Sequence, residues 1–347
     1  MKNLLVSFII VFLVGTSCQK EMITIGTNVS ETFYVENNGA SMRVFVEGNT
    51  TSKILIIFVP GGPGAGAFFY NTDYIRTNIG NKYALVYWDE RNSGASQGSS
   101  NGSDLTLAQM TDDLTKVITV LKTRYGQDCD LFLIGHSFGG LLTSSFMIAG
   151  NNQSDIRGWI FADGSHNYPL NDTLTRQMLL TTGEQQIALN KNKSNWEEIV
   201  AFCKAHTGNF TYDESVKLES YASEAENYID EITKINSWVF FRTYAVRDNW
   251  PLTSMLVNYL YSSNAGFNRD LARTEFSSAL FKVTVPVLIM YGQYDFICPK
   301  ELGNDFYNRI GSADKKIVIS PVSGHNIMLQ DEIFFTNEIN NFVGLHR

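Results

Sequence analysis

Gly135-His136-Ser137-Phe138-Gly139 constrains this chain more than any other segment. It lies between an apolar run, Leu131 to Ile134, and a stretch of small and apolar residues from Gly140 to Ala149. A serine between two glycines at that junction predicts a sharp turn from a β-strand into an α-helix. The serine must then take a strained backbone conformation, and glycines two residues to either side let strand and helix pass without Cβ clashes. Such a turn lifts the Ser137 hydroxyl above the sheet edge. It also aims the first free N–H groups of the helix at whatever the serine attacks. The same pattern arises by chance in a chain rich in Gly and Ser, so its meaning depends on partners further along.

An active serine needs a base, and the base needs an acid to orient it. Val285 to Gly292 reads as a buried parallel strand, and Asp295 follows it in the turn Gln293-Tyr294-Asp295. A second strand, Lys316 to Ser320, leads to Val322-Ser323-Gly324-His325. Both residues thus fall just past the C-terminal ends of strands, where open parallel sheets place their sites. An isolated Asp after a strand is usually a turn former, and Asp163, ending Trp159 to Ala162, is a second candidate acid. Asp295 is preferred because it precedes the His-bearing loop. Among the histidines, His136 flanks the serine, His166 and His206 lie in or near an inserted segment, and His346 is next to the C-terminus, where chains fray. His325 is the base expected by position.

Stabilising a developing oxyanion takes two backbone donors. The N–H of Phe138, the residue after the serine, is one. For the other, the apolar strand Ile54 to Val59 runs into Pro60-Gly61-Gly62-Pro63-Gly64-Ala65-Gly66, and the bare backbone there points to the N–H of Gly62. A phosphate-binding loop is disfavoured, since no Lys-Ser/Thr follows the glycines and two prolines interrupt them. A purely structural turn remains the alternative.

The order Ser137, Asp295, His325 resembles the triad of the α/β-hydrolases and differs from the trypsin and subtilisin orders. Gly61-Gly62-Pro63-Gly64, followed by Asp89-Glu90-Arg91-Asn92-Ser93-Gly94-Ala95-Ser96 after the strand Ala84 to Trp88, resembles the proline iminopeptidase branch of that superfamily. The likeness runs from about Ile54 to Ala149 and resumes near Val285. It implies an α/β-hydrolase fold, a Ser137-Asp295-His325 triad with Gly62 and Phe138 as the oxyanion hole, and hydrolysis of an amide or ester. No metal or organic cofactor is implied. Pro60 stands where the branch carries His, Asn92 where it carries Gly, and GHSFG where it carries GGSWG, all at substrate-facing loops. Fold and triad therefore carry over better than aminopeptidase specificity, and a carboxylesterase or a catalytically silent binding protein stays open. Asp89 and Arg91 are read as a structural ion pair or loop anchors. Caps of this branch also offer acidic groups to a substrate amine, for which Glu219, Glu224 and Glu226 are available.

At 347 residues the chain can bury a full core. Its 35 acidic against 27 basic side chains, with no basic stripe, argue against a nucleic-acid partner. The expected partner is a small-molecule or short-peptide substrate. Met1-Lys2-Asn3, the apolar Leu4 to Val14 and the small residues before Cys18 read as a secretory signal over residues 1–17. Cys18 resembles the lipidated first residue of a bacterial lipoprotein, which implies a membrane-anchored protein of the cell envelope. Residues 18–30 then form a tether. Cys129, Cys203 and Cys298, widely spaced and odd in number, suggest no metal site or disulfide framework.

The remaining pattern is an opening hairpin, Thr32 to Glu36 and Met42 to Glu47, then strands alternating with helices. That alternation predicts a mainly parallel, doubly wound sheet. Residues 31–163 and 282–347 form its two halves, and 164–281 an inserted helical cap. The cap's densest aromatic stretches are Trp238 to Tyr244, Trp250 and Tyr259 to Tyr261.

Overall fold

A computed structural model describes residues 24–98, 102–235, 238 and 264–347. The signal segment and Cys18 lie outside the described residues, as do the aromatic cap residues named above except Trp238, which is exposed.

Among the described residues nine strands form one sheet. They are β1 (Val29–Asn37), β2 (Ala40–Gly48), β3 (Ile54–Val59), β4 (Ala84–Trp88), β5 (Gln97–Gly98), β6 (Asp130–His136), β7 (Gly158–Ala162), β8 (Val287–Gly292) and β9 (Lys315–Ser320). Their spatial order is β1-β2-β4-β3-β6-β7-β8-β9, with β5 pairing β2. The pairs from β4 to β9 are parallel, whereas β1, β2 and β5 pair antiparallel. This is the mainly parallel wound sheet that the alternation of strands and helices predicts.

Composition explains the division. β3, β4, β7 and β8 are buried at every residue, as apolar strands covered on both faces must be. β1 alternates buried and open positions, the pattern of a strand with one wet face. The β1–β2 hairpin turns on Asn38 (φ 42°) and Gly39 (φ 77°), two consecutive positive values suited to a two-residue loop. The hairpin is longer than its sequence suggests: β1 starts at Val29, so Val29 and Ser30, read as the end of a tether, pair with Gly48 and Glu47.

Helices α1 (Leu107–Tyr125) and α2 (Phe138–Ile148) contribute to the core on one face. Phe306 of α7 (Lys300–Arg309) joins them. Phe335, Ile339 and Phe342 of α8 (Glu332–His346) cover the other. His346 is held at the end of α8 by Asp314, 2.9 Å away, rather than frayed. Between β7 and β8 the chain forms α3 (Tyr168–Ala188), α4 (Lys193–Ala205), α5 (Tyr212–Asn227) and α6 (Ala265–Leu271). A capping box, Thr211 with Glu214, starts α5. The first three of these helices share an apolar cluster of Leu179, Trp196, Ile199, Leu218, Tyr221 and Ala225 with Phe296, whereas Phe267 and Leu271 of α6 join the sheet's core. Phe296 directly follows Asp295, so this helical core is packed against the loop that carries Asp295.

Candidate active site

Ser137 joins β6 to α2 with φ 55° and ψ −123°, a conformation L-residues rarely adopt. The flanking glycines explain how the turn is tolerated. A Cβ on Gly135 would sit 2.3 Å from Thr143 Oγ1, and one on Gly139 would sit 2.3 Å from the Val59 carbonyl oxygen. A Cβ on Gly135 would also sit 2.6 Å from the Gly139 carbonyl oxygen, so neither glycine can carry one without moving strand or helix.

The structure brings Ser137, His325 and Asp295 together. His325 Nε2 is 2.9 Å from Ser137 Oγ, and His325 Nδ1 is 3.0 Å from Asp295 Oδ2. Ionised Asp295 only accepts, so Nδ1 carries the ring proton and Nε2 offers its lone pair to the serine hydroxyl. The other Asp295 oxygen accepts the N–H groups of Ile297 (2.9 Å) and Cys298 (2.7 Å).

Asp163, the second candidate acid, lies against Asp295, and the imidazole bonds to Asp295 instead. Its oxygens accept the N–H of Gly292 at 2.8 Å and of Ile327 at 3.1 Å. It thereby ties the end of β8 to the segment after His325. Burial, then the neighbouring Asp295 carboxylate, pushes its carboxyl well above the usual range. Two such groups side by side retain one proton. That proton belongs on Asp163, because Asp295 has the imidazole N–H as an additional donor.

The glycine loop after β3 lies beside the serine. Tyr70 Oη takes the N–H of Gly61 at 3.2 Å, while Gly62 lines the pocket together with Ser137 and Phe138. Asp89 and Arg91 do not pair with each other. Asp89 binds Arg43 at 2.7 Å and accepts the N–H groups of Ala67 and Ala95, anchoring the end of the glycine loop. Arg91 instead donates two hydrogen bonds to Asp113, one to each carboxylate oxygen, in a buried bidentate ion pair.

A cavity of about 620 Å³ opens over Ser137 beneath the inserted helices. Asp172 and Glu219 line it, as does Cys298, whose thiol burial pushes well above its usual range. Glu219 is itself solvent-exposed. Desolvation raises the Glu219 pKa, and burial raises that of Asp172 to about 6 against the lowering bond from Ser215. Glu224 is exposed. Glu226 instead faces His325: its Oε1 accepts the main-chain N–H of His325 at 3.0 Å, and its carboxyl also takes the N–H of Phe296. Glu219 and Glu226 are seven residues apart and therefore share one face of α5. That spacing was the available signal in the sequence. Asp172 carried no comparable one, because its direction depends on how α3 leaves β7.

Burial, reinforced by Asp295, lifts Glu226 to about 8. The folded chain thus keeps a proton there that the unfolded chain releases near 4.5, so this group's contribution to stability is lost as pH rises from 4.5 to 8. One proton corresponds to at most about 1.4 kcal/mol per pH unit. Glu226→Gln should flatten the fall in unfolding free energy between pH 5 and 8, measured by urea denaturation. Parallel curves for the two proteins would refute the assignment.

Comparison with known proteins follows the same lines. The pattern of the family described as alpha/beta hydrolase fold matches residues 54–332. The chain is 20% identical over 312 residues to a probable aminopeptidase, YbaC, of Bacillus subtilis, covering 87% of this chain and 93% of that one. It is 23% identical over 289 residues to a proline iminopeptidase of Saccharolobus solfataricus, covering 83% and 84%. Among solved structures, it resembles the proline iminopeptidase of Mycobacterium smegmatis with TM-score 0.63 and 17% identity, over 92% of this chain and 98% of that one. An esterase from Exiguobacterium antarcticum gives 0.58 at 16% identity, over 91% and 100%. At such identities the structural likeness speaks to the fold.

Proposed function

Because the chain belongs to the alpha/beta hydrolase fold family, we propose that it is a serine hydrolase cleaving a small amide or ester, and that its substrates are short peptides with a free N-terminal amine. His325 Nε2 takes the Ser137 proton as Oγ attacks the carbonyl carbon. The N–H groups of Phe138 and Gly62 receive the charge that develops on the carbonyl oxygen. His325 then protonates the departing amine or alcohol, and a water molecule repeats the sequence to release the acid. Asp295 holds the imidazole tautomer throughout and stabilises the imidazolium.

The observation that carries the aminopeptidase reading is the presence of Asp172 and Glu219 in the pocket that opens on Ser137. The Glu219 charge adds to the raised pKa of Asp172, so the two repel, and a substrate ammonium between them would relieve that repulsion. The aminopeptidase and iminopeptidase names of the sequence relatives support the same reading. A carboxylesterase would use the Ser137 machinery with no role for these carboxylates.

Release of a fluorophore from aminoacyl amides, prolyl included, tests this. The free-amine form should turn over and the N-blocked form should not. Glu219→Gln should raise KM for the free amine ten- to a hundred-fold, the value of one charge-assisted hydrogen bond. KM should also climb as pH falls through about 6, where Asp172 takes up a proton. Equal turnover of blocked and free substrates, or of short-chain esters alone, would leave the esterase.

A further inference from the structure

His136 immediately precedes the serine, and the triad does not use it. It is 5% exposed, and both ring nitrogens are engaged. Nδ1 lies 2.8 Å from Tyr70 Oη, and Nε2 lies 2.8 Å from the main-chain carbonyl oxygen of His325. Tyr70 is equally buried, stacked on Phe58 with ring centres 5.4 Å apart and edge-on to His136 at 5.7 Å. Its hydroxyl also receives the Gly61 N–H at 3.2 Å.

The two ends of this chain fix every proton between them. A backbone N–H only donates and a carbonyl oxygen only accepts. Gly61 therefore donates to Tyr70, and Tyr70 gives its own proton to His136 Nδ1. His136 Nε2–H then donates to the carbonyl of His325. Only one neutral tautomer of His136 completes the run. Burial, with the neighbouring His325 adding to it, pulls the His136 pKa down to about 3, so the ring remains neutral where serine hydrolases work. Its ring lies 4.9 Å from that of His325, and a second positive charge there would oppose formation of the His325 imidazolium.

We propose that Tyr70 and His136 are positioning residues, whose one-way hydrogen-bond chain fixes the oxyanion loop at Gly61 and the base loop at His325 to the Ser137 turn. The chain ends on the two loops that must hold their places relative to the nucleophile. Gly61 adjoins the Gly62 donor, and the accepted carbonyl belongs to the base itself. Misplacing reacting groups by a full ångström costs about a hundredfold in rate. Loosening this tie costs less, and the loss falls on the chemical step rather than on binding. The inference rests on Ser137 acting as the nucleophile.

Covalent labelling by a fluorophosphonate probe, followed as rate against probe concentration, tests it on the full chain. Tyr70→Phe removes one oxygen from a ring that keeps its stack on Phe58. Its maximal labelling rate should fall about tenfold, with the half-saturating probe concentration within about twofold of wild type. His136→Phe should behave alike, and the double variant should lose the same tenfold, because all three break one chain. Multiplied losses near a hundredfold would mean two independent packing defects and overturn the proposal. So would an unchanged rate in Tyr70→Phe, which decides the matter alone if His136→Phe does not fold. A loss confined to half-saturation would also overturn it. A wild-type protein that takes no label would remove the nucleophile and this inference together, whereas a labelled wild type with an indifferent Tyr70→Phe removes only the latter.

Discussion

Ser137→Ala should take no fluorophosphonate label, and turnover of any substrate the wild type cleaves should drop on the order of 10⁶-fold. The size follows from the triad acting as a unit: without Oγ there is no nucleophile, and His325 and Asp295 have nothing to activate. The substitution is otherwise mild. Alanine and serine bear similar strain at φ 55°, and the bond lost to His325 is worth about 1 kcal/mol. The melting temperature should therefore stay near wild type, so that lost activity reports chemistry rather than unfolding. Retained labelling would place the nucleophile elsewhere and remove the proposed mechanism.

The second large effect separates two buried carboxyls that sequence position leaves in competition. Asp295→Asn should lower kcat about 10⁴-fold. An amide opposite His325 Nδ1 can present its NH₂, which favours the tautomer with the proton on Nε2, and a ring so protonated cannot take the serine proton. Asp163→Asn should cost less than about tenfold, because Asp163 is the member of the pair that already holds a proton. Its penalty should appear in stability. Asp163 accepts from Gly292 and Ile327, and the amide NH₂ would leave one of those N–H groups unpaired, typically costing 1–3 kcal/mol. Steady-state kinetics beside thermal melts distinguish the two variants. Equal losses of kcat would mean that Asp163 shares the orienting role.

Much of the frame is legible because it depends on local pattern. The fully apolar runs of β3 and β8 can only be strands covered on both faces, and Asn38-Gly39 supplies the backbone freedom of a tight hairpin. The turn at Ser137 announces itself through glycines whose missing Cβ atoms make room for Thr143 and for Val59. Strand ends are less visible: β1 reaches back to Val29 because pairing with β2 continues past the point where apolar alternation fades.

What the sequence by itself determined is the alternation that winds the sheet and the loops on which a hydroxyl, an imidazole and a carboxylate are carried, since periodicity and turn chemistry act between near neighbours. Tertiary structure alone decided which partners those loops meet. Asp295 rather than Asp163 faces His325, Glu219 lines the pocket while Glu226 turns to the main chain of His325, and Tyr70 reaches His136 across 66 residues of chain. Each of those choices depends on the packing of elements remote in sequence, where a side chain's direction is set by the helix or strand beneath it and its charge by what surrounds it.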